Sequence, residues 1–140
     1  MPFDKKLIIR KISLIQGDII PLKKISRLSF KDFLSDFENE ILTERYLERI
    51  IGRMIDINYH LLTEAGQPAP RDYYFSFIEL GKLSFIPAEL SRDLAQFAGL
   101  RNVLAHEYNS IDNRKVWRGM KHLLKLLPQY LKNVSKIFKK

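Results

Sequence analysis

Apolar residues recur at intervals of three and four along nearly the whole chain, a spacing that admits little besides α-helix. Leu47, Ile50, Ile51, Met54, Ile55, Leu61 and Leu62 form one such stripe. Its helix is expected to begin near Ser35, where Ser35 and Glu38 have capping-box spacing, and to end at Gly66 ahead of Pro68 and Pro70. An earlier helix is expected from about Asp4, with Ile8, Ile12, Ile15 and Ile19 inward and Pro21 kinking or ending it. A short third helix covers about Arg71 to Lys82. A fourth starts near Pro87 and carries Leu90, Leu94, Phe97 and Leu104 on one face. The last follows Asp112, a good N-cap, and turns Val116, Met120, Leu123, Leu124, Leu127, Leu131, Val134 and Phe138 inward, with a kink at Pro128. Strand-like alternation is scarce. The expected fold is all-α: an antiparallel bundle of about five helices in one domain, 1–140, with the basic tail 136–140 frayed.

Composition narrows the function classes. The 140 residues contain no cysteine, which excludes disulfides, thiolate chemistry and cysteine-ligated zinc. The longest runs without a charged residue, Ile57 to Thr63 and Leu94 to Leu100, are far shorter than the roughly 20 apolar residues of a membrane span. Arg10 and Lys11 interrupt the N-terminal apolar region, so it does not read as a signal peptide, and a cytoplasmic protein without a membrane segment is expected. An excess of 24 Lys and Arg over 16 Asp and Glu favours a polyanionic partner.

The fourth helix contains an anomaly. At about 100° per residue, Arg101 falls in the middle of the apolar stripe of Leu90, Leu94, Phe97 and Leu104. A cation there is costly unless it is paired, reaches solvent, or has a chemical task. Glu64 and Glu79 are candidate partners for an ordinary ion pair. Asn102 and His106 share another face, one turn apart, and Arg101 and His106 lie about 140° apart on a regular helix. One helix can aim both at one atom only if it unwinds, after Gly99 or near His106; otherwise two copies must share the site across a two-fold axis.

The run Gly99, Leu100, Arg101, Asn102, Val103, Leu104, Ala105, His106, Glu107, Tyr108 resembles the signature of HEPN ribonuclease toxins, Arg-x4-His-x-Tyr, and looks like the HepT-like subgroup. The upstream run Glu44 to Glu48, then Ile55, Asp56 and Ile57, fits that subgroup, as does the segment Tyr73 to Gly81. The resemblance spans about residues 40–112 and implies a HEPN-like two-fold homodimer whose paired motifs cut RNA, mRNA or tRNA, without metal or cofactor. It also implies a cognate minimal nucleotidyltransferase antitoxin that silences the toxin by attaching AMP to the motif tyrosine, here Tyr108.

That chemistry suits the residue types. The substrate's 2′-hydroxyl is the nucleophile, a histidine with a pKa of about 6.5 can move its proton, and a guanidinium can hold the charged phosphoryl oxygens. Arg101 and His106 are the catalytic candidates, with Asn102 and Tyr108 in support. Asp56 and His60, four residues apart and opposite the apolar stripe of their helix, could back the cleft or simply face solvent. His122 is expected on the surface. The competing reading is a non-catalytic helical module that regulates a partner nucleotidyltransferase or binds nucleotide.

Overall fold

The computed structural model of the chain describes residues 4–106 and 112–137. Those residues form seven helices and no strand: α1 Lys5–Ser26, α2 Phe30–Ser35, α3 Phe37–Glu64, α4 Tyr73–Lys82, α5 Ala88–Ala95, α6 Phe97–His106 and α7 Asn113–Lys136. The all-α expectation is met, and the two helices beyond five have local causes. Helix α2 has only six residues, too few for periodicity to show; Ser29 caps it by accepting the Asp32 N–H at 3.1 Å, and Phe33 anchors it in the core. The expected fourth helix is interrupted at Gln96, whose backbone stays in the helical region, so Leu90, Leu94, Phe97 and Leu104 are all still buried.

Other boundaries shift by small amounts. Asp36 rather than Ser35 caps α3, accepting the Glu38 N–H at 2.9 Å, while the Ser35 hydroxyl donates to the Asp32 carbonyl and closes α2. Helix α3 ends at Glu64; Gly66, at φ 77°, turns the chain so that the Gln67 N–H donates to the Leu62 carbonyl at 3.0 Å. Neither Pro21 nor Pro128 ends its helix. Beyond each proline, buried residues (Leu22 and Ile25 in α1, Tyr130, Leu131 and Val134 in α7) hold the next turn to the core. Ile19 and Leu124 are half-buried rather than buried, Leu126 joins the core, and Phe138 lies outside the described residues.

Helix α3 is the axis. Helix α1 runs antiparallel to it: Asp4 meets His60, Lys11 meets Asp56, and Asp18 meets Arg53 and Arg49. Asp18 is buried and takes Arg53 Nη1 at 2.7 Å and Arg49 Nη2 at 3.2 Å, so its charge is compensated twice. Helix α7 runs parallel to α3, with Thr43 against Met120 at one end and Met54 and Asn58 against Tyr130 at the other. No described helix is long and apolar enough to cross a membrane.

A buried polar relay ties α7, α3 and α4 together. The fully buried Tyr130 hydroxyl lies 2.6 Å from Asn58 Oδ1 and 3.1 Å from the Met54 carbonyl. Asn58 Nδ2 donates to Ser76 Oγ at 3.2 Å, and the Ser76 hydroxyl donates to the Tyr73 carbonyl at 2.7 Å. Every buried member therefore has a partner, the condition under which such networks rigidify a core. Burial pushes the Tyr130 hydroxyl well above the ordinary 10.0 of a phenol. The native fold thus keeps this proton at pH values where the unfolded chain releases it, so stability falls as pH rises above about 10. Tyr130→Phe is expected to cost about 1–3 kcal/mol at neutral pH, because it leaves Asn58 Oδ1 unsatisfied, and to flatten the alkaline loss; urea unfolding at a series of pH values checks both.

Helices α4 and α5 cross where Gly81 faces Ser91. A Cβ at Gly81 would lie 2.7 Å from Ser91 Cβ and collide with Ser91 Oγ. Gly81→Ala should destabilise the protein by about 1–3 kcal/mol, and Ser91→Gly in the same chain should recover part of that loss, read as a coupling energy in a urea double-mutant cycle.

Candidate functional site

Helix α6 is continuous from Phe97 to His106, so it does not unwind after Gly99. The angular gap between Arg101 and His106 therefore stands within one chain. Arg101 is half-buried between the buried Phe97 and Leu104. Neither Glu64 nor Glu79 neutralises it: Glu79 pairs with Lys82 at 3.5 Å, and among the described residues Arg101 has no carboxylate within ion-pair distance. Its guanidinium instead lies over the Tyr73 ring, 5.4 Å from the centroid, where the π face attracts a cation.

Arg101 opens into a pocket of about 290 Å3 lined by Gly52, Ile55, Asp56 and Tyr59 of α3 and Tyr73 of α4. Tyr59 meets Tyr73 edge to face, with centroids 6.1 Å apart and planes at 84°. Burial pushes the Tyr59 hydroxyl up, with smaller contributions from Tyr73 and the Asp72 carboxylate, so it remains a protonated donor. Asp56 thus shares a pocket with Arg101, while its ion-pair partner is Lys11 at 3.1 Å. His60 is not part of this pocket; its Nε2 accepts the Asp4 N–H at 3.3 Å, at the start of α1.

Asn102 and His106 are exposed, on the face of α6 directed away from the core. Tyr108 lies outside the described residues. A larger cavity of about 620 Å3 lies between α6 and α7, and neither Arg101 nor His106 lines it. It contains His122, which is exposed as expected and stands with its ring centroid 5.5 Å from that of Phe97.

Of the residues that surround Arg101, Asp56 was a candidate in the sequence, while Gly52, Ile55, Tyr59 and Tyr73 were not. Gly52, Asp56 and Tyr59 do share one face of α3, a spacing visible in the sequence. Nothing local shows that this face meets Arg101 rather than solvent. Tyr73, the first residue of α4, reaches Arg101 only through the packing of α4 on α3.

Comparison with known proteins identifies the family. The Ribonuclease HepT-like family matches residues 15–134. A tRNA nuclease HepT from Aphanizomenon flos-aquae is 36% identical over 125 residues, covering 89% of this chain and 85% of that protein. An mRNA nuclease HepT from Shewanella oneidensis is 26% identical over 125 residues, covering 89% and 93%. Among solved structures, the tri-AMPylated Shewanella oneidensis HEPN toxin in complex with its MNT antitoxin superposes with a TM-score of 0.83 at 25% identity, covering 93% of this chain and 97% of that one. With a match that runs from the middle of α1 through α2 to α6 and nearly all of α7, the chain belongs to the Ribonuclease HepT-like family.

Proposed function

We propose that this protein is the toxin of a toxin–antitoxin pair, an HEPN ribonuclease that acts in the cytoplasm and cuts tRNA or mRNA by attack of the substrate's own 2′-hydroxyl. The observation that carries the reading is Arg101, a guanidinium inside a buried stripe, without an ion pair among the described residues, held over Tyr73 at the mouth of a pocket. A half-buried cation that pairs with no described carboxylate is suited to a phosphate. The relatives' activities on tRNA and mRNA agree with that choice of substrate.

In this reading Arg101 binds the non-bridging oxygens of the scissile phosphate and stabilises the charge that builds there. His106 moves the protons: one leaves the 2′-hydroxyl as its oxygen bonds to phosphorus, and one is delivered to the departing 5′-oxygen. The products are a 2′,3′-cyclic phosphate and a 5′-hydroxyl. On one regular helix Arg101 and His106 are about 7.5 Å apart along the axis and point about 140° apart, so a single copy cannot bring both to one phosphate. A two-fold homodimer resolves this by presenting α6 from each copy to a shared cleft. Val103, which is 42% exposed beside His106 on α6, supplies apolar surface for that pairing. Asn102, one turn before His106, orients the imidazole or the phosphate.

Tyr108 is the proposed acceptor of AMP from a cognate minimal nucleotidyltransferase. The similar toxin from Shewanella oneidensis is AMPylated and bound to an MNT antitoxin. An AMP group two residues from His106 brings a phosphodiester charge that competes with RNA for Arg101.

Purified protein incubated with tRNA and mRNA in EDTA should release fragments ending in 2′,3′-cyclic phosphate. Arg101→Ala and His106→Ala should each lower the rate by about a hundredfold or more. Equal cutting by all three proteins would reject the assignment. After incubation with the cognate nucleotidyltransferase and ATP, intact-mass and peptide spectra should show added AMP on Tyr108 and loss of cutting; modification confined to other residues would reject that role.

A further inference from the structure

Gly52 stands in the middle of the 28-residue helix α3, where glycine weakens a helix relative to alanine. No packing requires it, since nothing lies within 4 Å of the Cβ it lacks. The open space belongs to the pocket of about 290 Å3 that Gly52 lines with Asp56, Tyr59, Tyr73 and Arg101. A side chain at position 52 would occupy that pocket, so the glycine keeps it open at the helix's expense.

The contents of the pocket match one nucleobase. Its volume holds a single base rather than a length of chain. Two tyrosine rings and Ile55 offer apolar and π surface, on which bases stack without regard to sequence. Arg101 stands at one wall, where a phosphate would lie. Discrimination falls to Asp56, the carboxylate of the pocket, which accepts hydrogen bonds and donates none. Lys11 Nζ lies 3.1 Å from Oδ2, and the Asp56 side chain remains 58% exposed and open to a ligand.

Guanine alone among the four RNA bases presents two adjacent N–H donors, N1–H and the N2 amino group, on its Watson–Crick edge. Adenine and cytosine each set one amino group beside an acceptor nitrogen that a carboxylate repels. Uracil flanks its single N–H with carbonyls. The protonated Tyr59 phenol adds a donor of the kind that guanine O6 accepts.

We infer that this pocket is a guanine subsite, in which Asp56 selects the base of the nucleotide next to the phosphate held by Arg101. The inference rests on the proposed RNA-cleaving function for the role of Arg101, and names the substrate feature that this same site reads.

The test uses the full-length protein and 2′-O-methyl pentanucleotides with a central guanine, adenine, cytosine or uracil in a uridine background. The 2′-O-methyl group removes the nucleophile, so affinity is read whether or not the protein cuts RNA. The guanine oligonucleotide should bind at least about tenfold more tightly than the others, in line with one bidentate base contact. Asp56→Asn, which turns an amide N–H toward the second donor, should reduce that preference to about twofold. Gly52→Leu should abolish it without lowering the thermal midpoint, since the new side chain fills open space. Lys11→Gln removes the ion pair but keeps the carboxylate, and should preserve the preference. Equal affinity for all four oligonucleotides, or a guanine preference that survives Asp56→Asn or Gly52→Leu, overturns the subsite. A guanine preference in a protein that cuts no RNA in EDTA would leave the subsite standing and reject the ribonuclease reading; cutting without guanine preference would do the reverse.

Discussion

The relay from Tyr130 through Asn58 and Ser76 to the Tyr73 carbonyl is the interaction on which the rest of the site depends. It crosses three helices and runs in one direction, each side chain donating to the next. It lies among apolar side chains, where a missing partner costs far more than a made bond gains. Its end point is the backbone of Tyr73, and the ring of that residue lies under Arg101. Its middle member, Asn58, is next in the chain to Tyr59, which forms the other aromatic wall of the pocket. A shift of α4 along α3 would break the relay and displace the Arg101 platform together.

Arg101 illustrates how a fold keeps a cation available. A carboxylate in contact would neutralise the guanidinium and leave it little affinity for phosphate. Full burial without a partner would be prohibitive. Among the described residues the structure takes neither course. The arginine emerges from the stripe at the pocket mouth, its charge faces an aromatic ring, and the carboxylate in the same pocket pairs with Lys11. By contrast Asp18, Arg49 and Arg53 form a compensated cluster that clamps α1 to α3 away from the site. Two guanidinium groups, those of Arg49 and Arg53, are thus committed to architecture, while that of Arg101 is the one proposed to take a phosphate.

The continuity of α6 bears on the assembly. Two groups about 140° apart on a rigid helix cannot converge, and α6 shows no break between Arg101 and His106. In the proposed ribonuclease reading the chemistry that needs both is then shared by two chains, which gives the exposed face with Asn102, Val103 and His106 its part in the proposal.

The sequence by itself determined the helical class, the long stripes of α1, α3 and α7, and the presence of Arg101 among Leu90, Leu94, Phe97 and Leu104. These are periodicities carried by neighbours within two turns, and each of those four leucine and phenylalanine positions is buried. The motif from Arg101 to Tyr108 was legible as a resemblance to a family signature that is local in sequence. Short α2 was not, because six residues hold less than two turns, and the interruption at Gln96 was not, because its backbone hardly leaves the helix. Tertiary structure alone decided what surrounds the arginine. Gly52, Asp56 and Tyr59 stand more than 40 positions before it, and Tyr73 stands 28 before it. Only the packing of α4 and α6 on α3 brings them together, and contacts between distant segments leave no periodic trace in the segments themselves.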